Sequence, residues 1–161
     1  MRIKEIKIVI ANLKKNNISF PEEYIISLTN LIQLVFIKMN ELNDYDIYKQ
    51  IDLFMQSNIR KMMDDGNWVA LNKGWKQVYN SLNFKKLPFG NKLDITKLKW
   101  IASIYTFWQW KYNHSSYEIN KKCNAKQLEE LYYPLHEVSI KAACVKLEQK
   151  YYMMSELNYD R

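Results

Sequence analysis

Only three glycines and three prolines are spread along these 161 residues. A chain so poor in turn-formers cannot reverse direction every ~8–12 residues, as an all-β protein must. It is suited to helices that run for several turns. Hydrophobic residues make up 48% and charged residues 25%, ordinary values for a chain that folds rather than one that stays disordered. The length fits one domain, 1–161, able to bury roughly two-thirds of its unfolded surface without metal or disulfide staples.

Apolar spacing places the helices. Ile3, Ile6, Ile10 and Leu13 form one stripe, ended by Asn16 and Asn17, which predicts a helix over 3–15. Ser19 and Glu22 have capping-box spacing around Pro21, and the helix they open is expected to reach Leu42 with Ile25, Leu28, Ile32, Val35 and Met39 inward. Asn43–Asp44 is read as the break and the next cap. Ile47, Ile51, Phe54, Met55, Ile59 and Met62 mark a third helix that Gly66 closes. Asn67 is expected to cap a fourth helix holding Trp68, Leu71, Trp75, Val78 and Tyr79, and residues 84–93 form the one long loop. Asp94 opens a fifth helix, about 95–113, that is apolar nearly all round and so belongs at the centre.

Capping boxes at Ser115–Glu118 and Asn124–Gln127 start two short helices. Pro134 is expected to begin a long last helix through Leu135, Val138, Ala142, Val145 and Tyr152, with the end fraying from about Ser155. The fold class is therefore all-α, a compact bundle of about seven helices with a nearly all-apolar central one.

Cys123 and Cys144 are the only cysteines, too few for a secreted disulfide scaffold. Charges interrupt the apolar residues near Met1 too soon for a signal peptide, and no run is read as long enough to span a membrane. The expected location is the cytoplasm. Lysines number 21 against three arginines, and Lys, Asn, Ile and Tyr supply 66 residues. These residues have AT-rich codons, which points to a low-GC bacterium or its phage or plasmid, and some of the +7 net charge reflects that codon bias.

Catalytic parts are scarce. His114 is expected to cap the central helix at its C-terminus, where a cation is favourable. His136 is expected in the first turn of the last helix beside Tyr132 and Tyr133. His136–Glu137 would begin a zinc-protease helix, but position 140 is Ile140. The two histidines and two cysteines lack zinc spacing, neither histidine has an arginine placed as in helical ribonucleases, and no Glu-x-x-His occurs. Three glycines cannot build phosphate loops or a nucleophile elbow. No enzyme, metal or cofactor is therefore expected, and a small metal-dependent nuclease using scattered carboxylates is the weakest alternative.

Charge is uneven. Residues 58–113 carry ten basic and three acidic groups and all five tryptophans, Trp68, Trp75, Trp100, Trp108 and Trp110. Most of these tryptophans have helical spacing and are read as core. The loop stands apart: Phe84 and Phe89 flank Lys85 and Lys86, Lys92 follows, and Lys97 and Lys99 sit in a helix N-terminus, where cations oppose the dipole. With Arg60, Lys61, Lys73 and Lys76 these residues make the candidate binding surface. Residues 115–133 have helix-turn-helix proportions, but Glu129 and Glu130 stand where a DNA reader needs basic groups, and they are read as a solvated face.

These features lead us to expect a non-catalytic binding or regulatory protein that presents a basic, aromatic-containing surface to a macromolecule. A protein partner is favoured over direct binding of nucleic acid. An inhibitor of a defence nuclease is one concrete form, no membrane is involved, and a homodimer is open.

Overall fold

The computed structural model describes residues 21–67, 70 and 72–153. The predicted helix 3–15, Ser19, Trp68, Leu71 and the predicted fraying from Ser155 lie outside them. Among the described residues there are nine α-helices and no strand: α1 Glu22–Leu42, α2 Ile47–Met55, α3 Asn58–Asp64, α4 Trp75–Asn80, α5 Ile95–Tyr112, α6 Ser116–Lys122, α7 Ala125–Glu130, α8 Tyr132–Leu135 and α9 Ile140–Glu148. A π-helical turn, Gln149–Met153, continues α9.

The fold is all-α, as the scarcity of glycine and proline requires, but three predicted helices are broken. The third ends at Met55 because the Ser57 hydroxyl donates to the Phe54 carbonyl and accepts from the Arg60 amide, capping a new helix, α3. Met63, not Met62, is then the fully buried methionine. The fourth is interrupted at Gly74, which caps α4. Pro134 falls inside the one-turn α8, and Ser139 caps the last helix, so that helix starts at Ile140 rather than at the proline.

Caps differ in detail as well. Pro21, without a capping side chain, precedes α1, so Glu22 opens the helix instead of closing a box. Asp46, not Asn43 or Asp44, caps α2 by accepting from the Lys49 amide. Asp94, Ser115 and Asn124 cap α5, α6 and α7 as expected, the last with both halves of the box formed. Gly66 closes α3 at φ 67°, with the Gly66 amide on Met63 and the Asn67 amide on Met62. Two reversed bonds around a left-handed glycine are the Schellman stop.

The central helix α5 packs along α1 and is also covered by α6, α7 and α9. Leu98, Ile101, Ile104, Tyr105 and Trp108 are buried on several sides of it. A polar network crosses this core. The Tyr105 hydroxyl donates to the Cys123 carbonyl at 2.6 Å, and Asn120 Nδ2 reaches Asp52 at 2.8 Å. The same Asp52 oxygen accepts the Ala125 amide at 2.9 Å, so α2 holds the start of α7.

Contrary to the sequence expectation, α1 is long and apolar enough to cross a membrane, with mean hydropathy 1.3. Here it buries Ile25, Leu28, Ile32, Val35, Phe36 and Met39 in the shared core.

Candidate functional site

The loop after α4 is held in place by the short segment between α1 and α2. Tyr45 and Phe89 form a single antiparallel bridge. The Asp46 amide donates to Pro88 O at 2.8 Å, the Ile47 amide to Asn91 O at 3.0 Å, and the Gly90 amide to Asp44 O at 3.2 Å. Asp46 is the hub: its carboxylate accepts from the Lys49 amide, the Asn91 amide and Asn91 Nδ2. Burial pushes the Asp46 carboxyl up, but the hydrogen bonds from Asn91 and from the Lys49 and Tyr48 amides outweigh it and hold it below its ordinary value. At the far end, Asn40 exchanges two hydrogen bonds with the Leu93 backbone.

This framing decides what the loop offers. Phe84 is buried against Tyr79, with ring centroids 5.1 Å apart, so it anchors the loop and is not a contact residue. Phe89 is 74% exposed and stacks on Tyr45 at 5.1 Å and 8°. Lys85 and Lys86 are exposed on the same loop.

Three other cations of the predicted surface are engaged within the fold. Arg60 is fully buried, with Nη1 3.0 Å from Asp64 Oδ1. That approach is an ion pair by distance, but no guanidinium nitrogen makes an aligned hydrogen bond. Lys92 donates to the Asn40 and Asn43 carbonyls at the end of α1 and lies 3.7 Å from Asp44. Lys97 pairs with Glu129 at 2.6 Å and covers the rings of Tyr132 and Tyr133. The hydrogen bond to Glu129 holds its ammonium above the ordinary lysine value. Glu129 therefore faces a partner rather than solvent, while Glu130 is exposed. Lys61, Lys76 and Lys99 are exposed and Lys73 is half-buried, on or beside helices other than the loop.

The tryptophans divide as well. Trp100 and Trp108 are buried, Trp75 and Trp110 half-buried. Glu148 joins Trp108 to His114, accepting from the indole at 2.8 Å and meeting His114 Nε2 at 2.8 Å, and the imidazole stacks on Tyr152 at 3.6 Å. His114 is thus paired across the domain; Asn113, in the left-handed region, ends α5 in its place. His136 is exposed, not in the last helix, and its Nδ1 lies 3.0 and 3.1 Å from the Tyr132 and Tyr133 carbonyls. Both cysteines are buried, and burial pushes the Cys123 thiol up to about 11 and Cys144 well above its ordinary value. Neither is a poised nucleophile. Among the described residues no three His, Cys, Asp or Glu side chains gather to hold a metal.

Beside the loop lies a cleft of about 210 Å³, with Asp46, Lys49, Asp52, Asn91 and Lys126 in its wall. Sequence reasoning missed it. Only the capping role of Asp46 had a local signal, and that role was assigned to Asn43–Asp44. Compared with protein-family models, characterised proteins and solved structures, the chain matches none.

Proposed function

We propose that the protein is a non-catalytic binding protein that docks an acidic surface of a protein partner through the loop 84–93. One observation carries the reading: Phe89, 74% exposed and stacked on Tyr45, stands on a loop already fixed by backbone and side-chain hydrogen bonds. An aromatic anchor that needs no ordering on binding contributes most of its contact area as affinity. The exposed Lys85 and Lys86 beside it favour partners carrying negative charge and speed the encounter.

The internal pairing of Arg60, Lys92 and Lys97 supports a protein over a nucleic acid. A polyphosphate chain is held by the number of cations that reach it, and three of the expected ones are committed within the fold. An inhibitor or adaptor that covers a site on a larger protein is the form of action this surface suits.

The test places a photoreactive phenylalanine analogue at position 89 in the source cell. The expected result is one discrete protein crosslink, lost when Lys85 and Lys86 become glutamate. Tryptophan emission is also followed while single- and double-stranded DNA and RNA are added at about 50 and 200 mM salt. Crosslinks to nucleic acid, together with emission changes that collapse at the higher salt, would replace the protein partner with nucleic acid.

A further inference from the structure

We propose that the cleft between α2, the loop and the start of α7 belongs to the same docking surface and receives an acidic side chain of the protein partner, held between Lys49 and Lys126. This rests on the loop reading above and adds the feature that fixes the partner's register.

The cleft and the aromatic stack are continuous. Tyr45 directly precedes Asp46, and Phe89 stands two residues before Asn91, both of which line the cleft. At about 210 Å³ it is smaller than the roughly 300–1,000 Å³ of a small-molecule pocket. That size suits one side chain rather than a cofactor.

Charge then selects the side chain. The two carboxylates in the wall are already occupied. Asp46 accepts from the Lys49 amide and from both Asn91 nitrogens, and Asp52 accepts from Asn120 and the Ala125 amide. Five hydrogen bonds disperse their charge toward the protein. The two ammonium groups are in the opposite condition. Lys49 and Lys126 are exposed, and among the described residues neither Nζ has a hydrogen bond, ion pair or ring contact. Every lysine with a structural task nearby shows one, as Lys92 and Lys97 do. The charged groups of the cleft that have no internal partner are therefore the two lysines, one on α2 and one on α7. A carboxylate held by both gains two charge-assisted bonds, in a cleft whose wall residues Asp46 and Asn91 adjoin the Tyr45–Phe89 stack in the chain.

The test uses the full chain and a fluorescein-labelled Glu-Glu-Phe-Glu-Glu peptide, read by anisotropy. Wild type is expected to bind, and the Lys49→Glu/Lys126→Glu variant to bind at least about tenfold more weakly, the size of a loss of one to two exposed charge contacts. Its urea midpoint should match wild type, because neither ammonium supports the fold. Lys121→Glu/Lys122→Glu, on another helix, serves as the charge control and should bind as wild type does.

Equal affinity in the Lys49/Lys126 variant and wild type, or no peptide binding at all, overturns the cleft proposal. Loss of binding in Phe89→Ala with no loss in the lysine variant overturns the cleft while leaving the loop reading standing. The reverse pattern supports the cleft and removes the loop. Equal loss in the α6 control, or displacement by an oligothymidylate at the same charge concentration, shows general attraction of anions and overturns the acidic side chain as occupant.

Discussion

Gly90 leaves room for a hydrogen and little more: a Cβ built there would meet Asp46 Oδ2 at 2.6 Å. Asp46 cannot step aside without breaking its bonds to Asn91. Gly90→Ala should therefore cost about 1–3 kcal/mol, the range of an overpacked site, read as a lowered urea midpoint with an unchanged slope. Asp46 itself supplies a pH dependence. Its folded value is below the unfolded one, about 3.9, so its contribution is full above that pH and is lost as acid titrates the folded carboxyl. The stability gap between wild type and Asp46→Asn should be constant from pH 7 to 5 and shrink toward pH 3. A gap that widens on acidification contradicts the assignment. Arg60 and Asp64 form an unequal pair. Asp64 keeps two bonds from Ser116 without Arg60, whereas Arg60 without Asp64 is a buried, uncompensated charge. Asp64→Ala should cost about 3–5 kcal/mol, and Arg60→Met less than about 1 kcal/mol, both from urea unfolding at pH 7.

At the scale of elements, the helix ends carry the most readable chemistry. Asp94, Ser115 and Asn124 were legible because a cap acts over three residues, on amides that have no other partner. Asp94→Ala should cost about 1 kcal/mol, checked by thermal unfolding. The breaks at Ser57 and Gly74 were not legible. Ile59 continues the apolar spacing of α2, and periodicity cannot register a bend that keeps both halves facing the same core. Ser57 has cap chemistry, but a serine inside a periodic run is equally able to bond back to the preceding turn. Pro134 misled for a related reason: a proline suits a first turn, yet Ser139 offers the stronger cap five residues later.

For the whole molecule, α5 finds cover from four other helices within one chain. The exposed apolar residues of α1, Ile26, Leu34 and Leu42, are separated by Asn30, Gln33, Lys38 and Glu41. Single exposed apolar residues of this kind do not make a two-fold interface. Sedimentation velocity at high concentration is expected to give a monomer, and a concentration-dependent dimer would place the interface on α1. The core itself concentrates stability. Trp108 is fully buried and its indole donates to Glu148, so Trp108→Ala should lose about 3–5 kcal/mol, measured as a fall in the melting midpoint.

Local chemistry determined a good deal of this protein by itself. Few glycines and prolines made it helical, three-residue caps set several helix starts, and apolar residues around the whole of 95–112 put α5 at the centre. These are short-range effects, and a sequence carries them in full. Which charges remain free was decided only by packing. Arg60, Lys92 and Lys97 look like their exposed neighbours in sequence, yet packing buries Arg60, and Lys92 and Lys97 each meet an acceptor that the fold brings to them. Lys92 finds its carbonyls 49 and 52 residues away, and Lys97 finds Glu129 across 32. The same folding leaves Phe89 outside, buries Phe84, and brings Lys49 and Lys126 into the wall of one cleft. A charge or a ring becomes a binding group when the tertiary structure leaves it without an internal partner, and that is a long-range property no local pattern records.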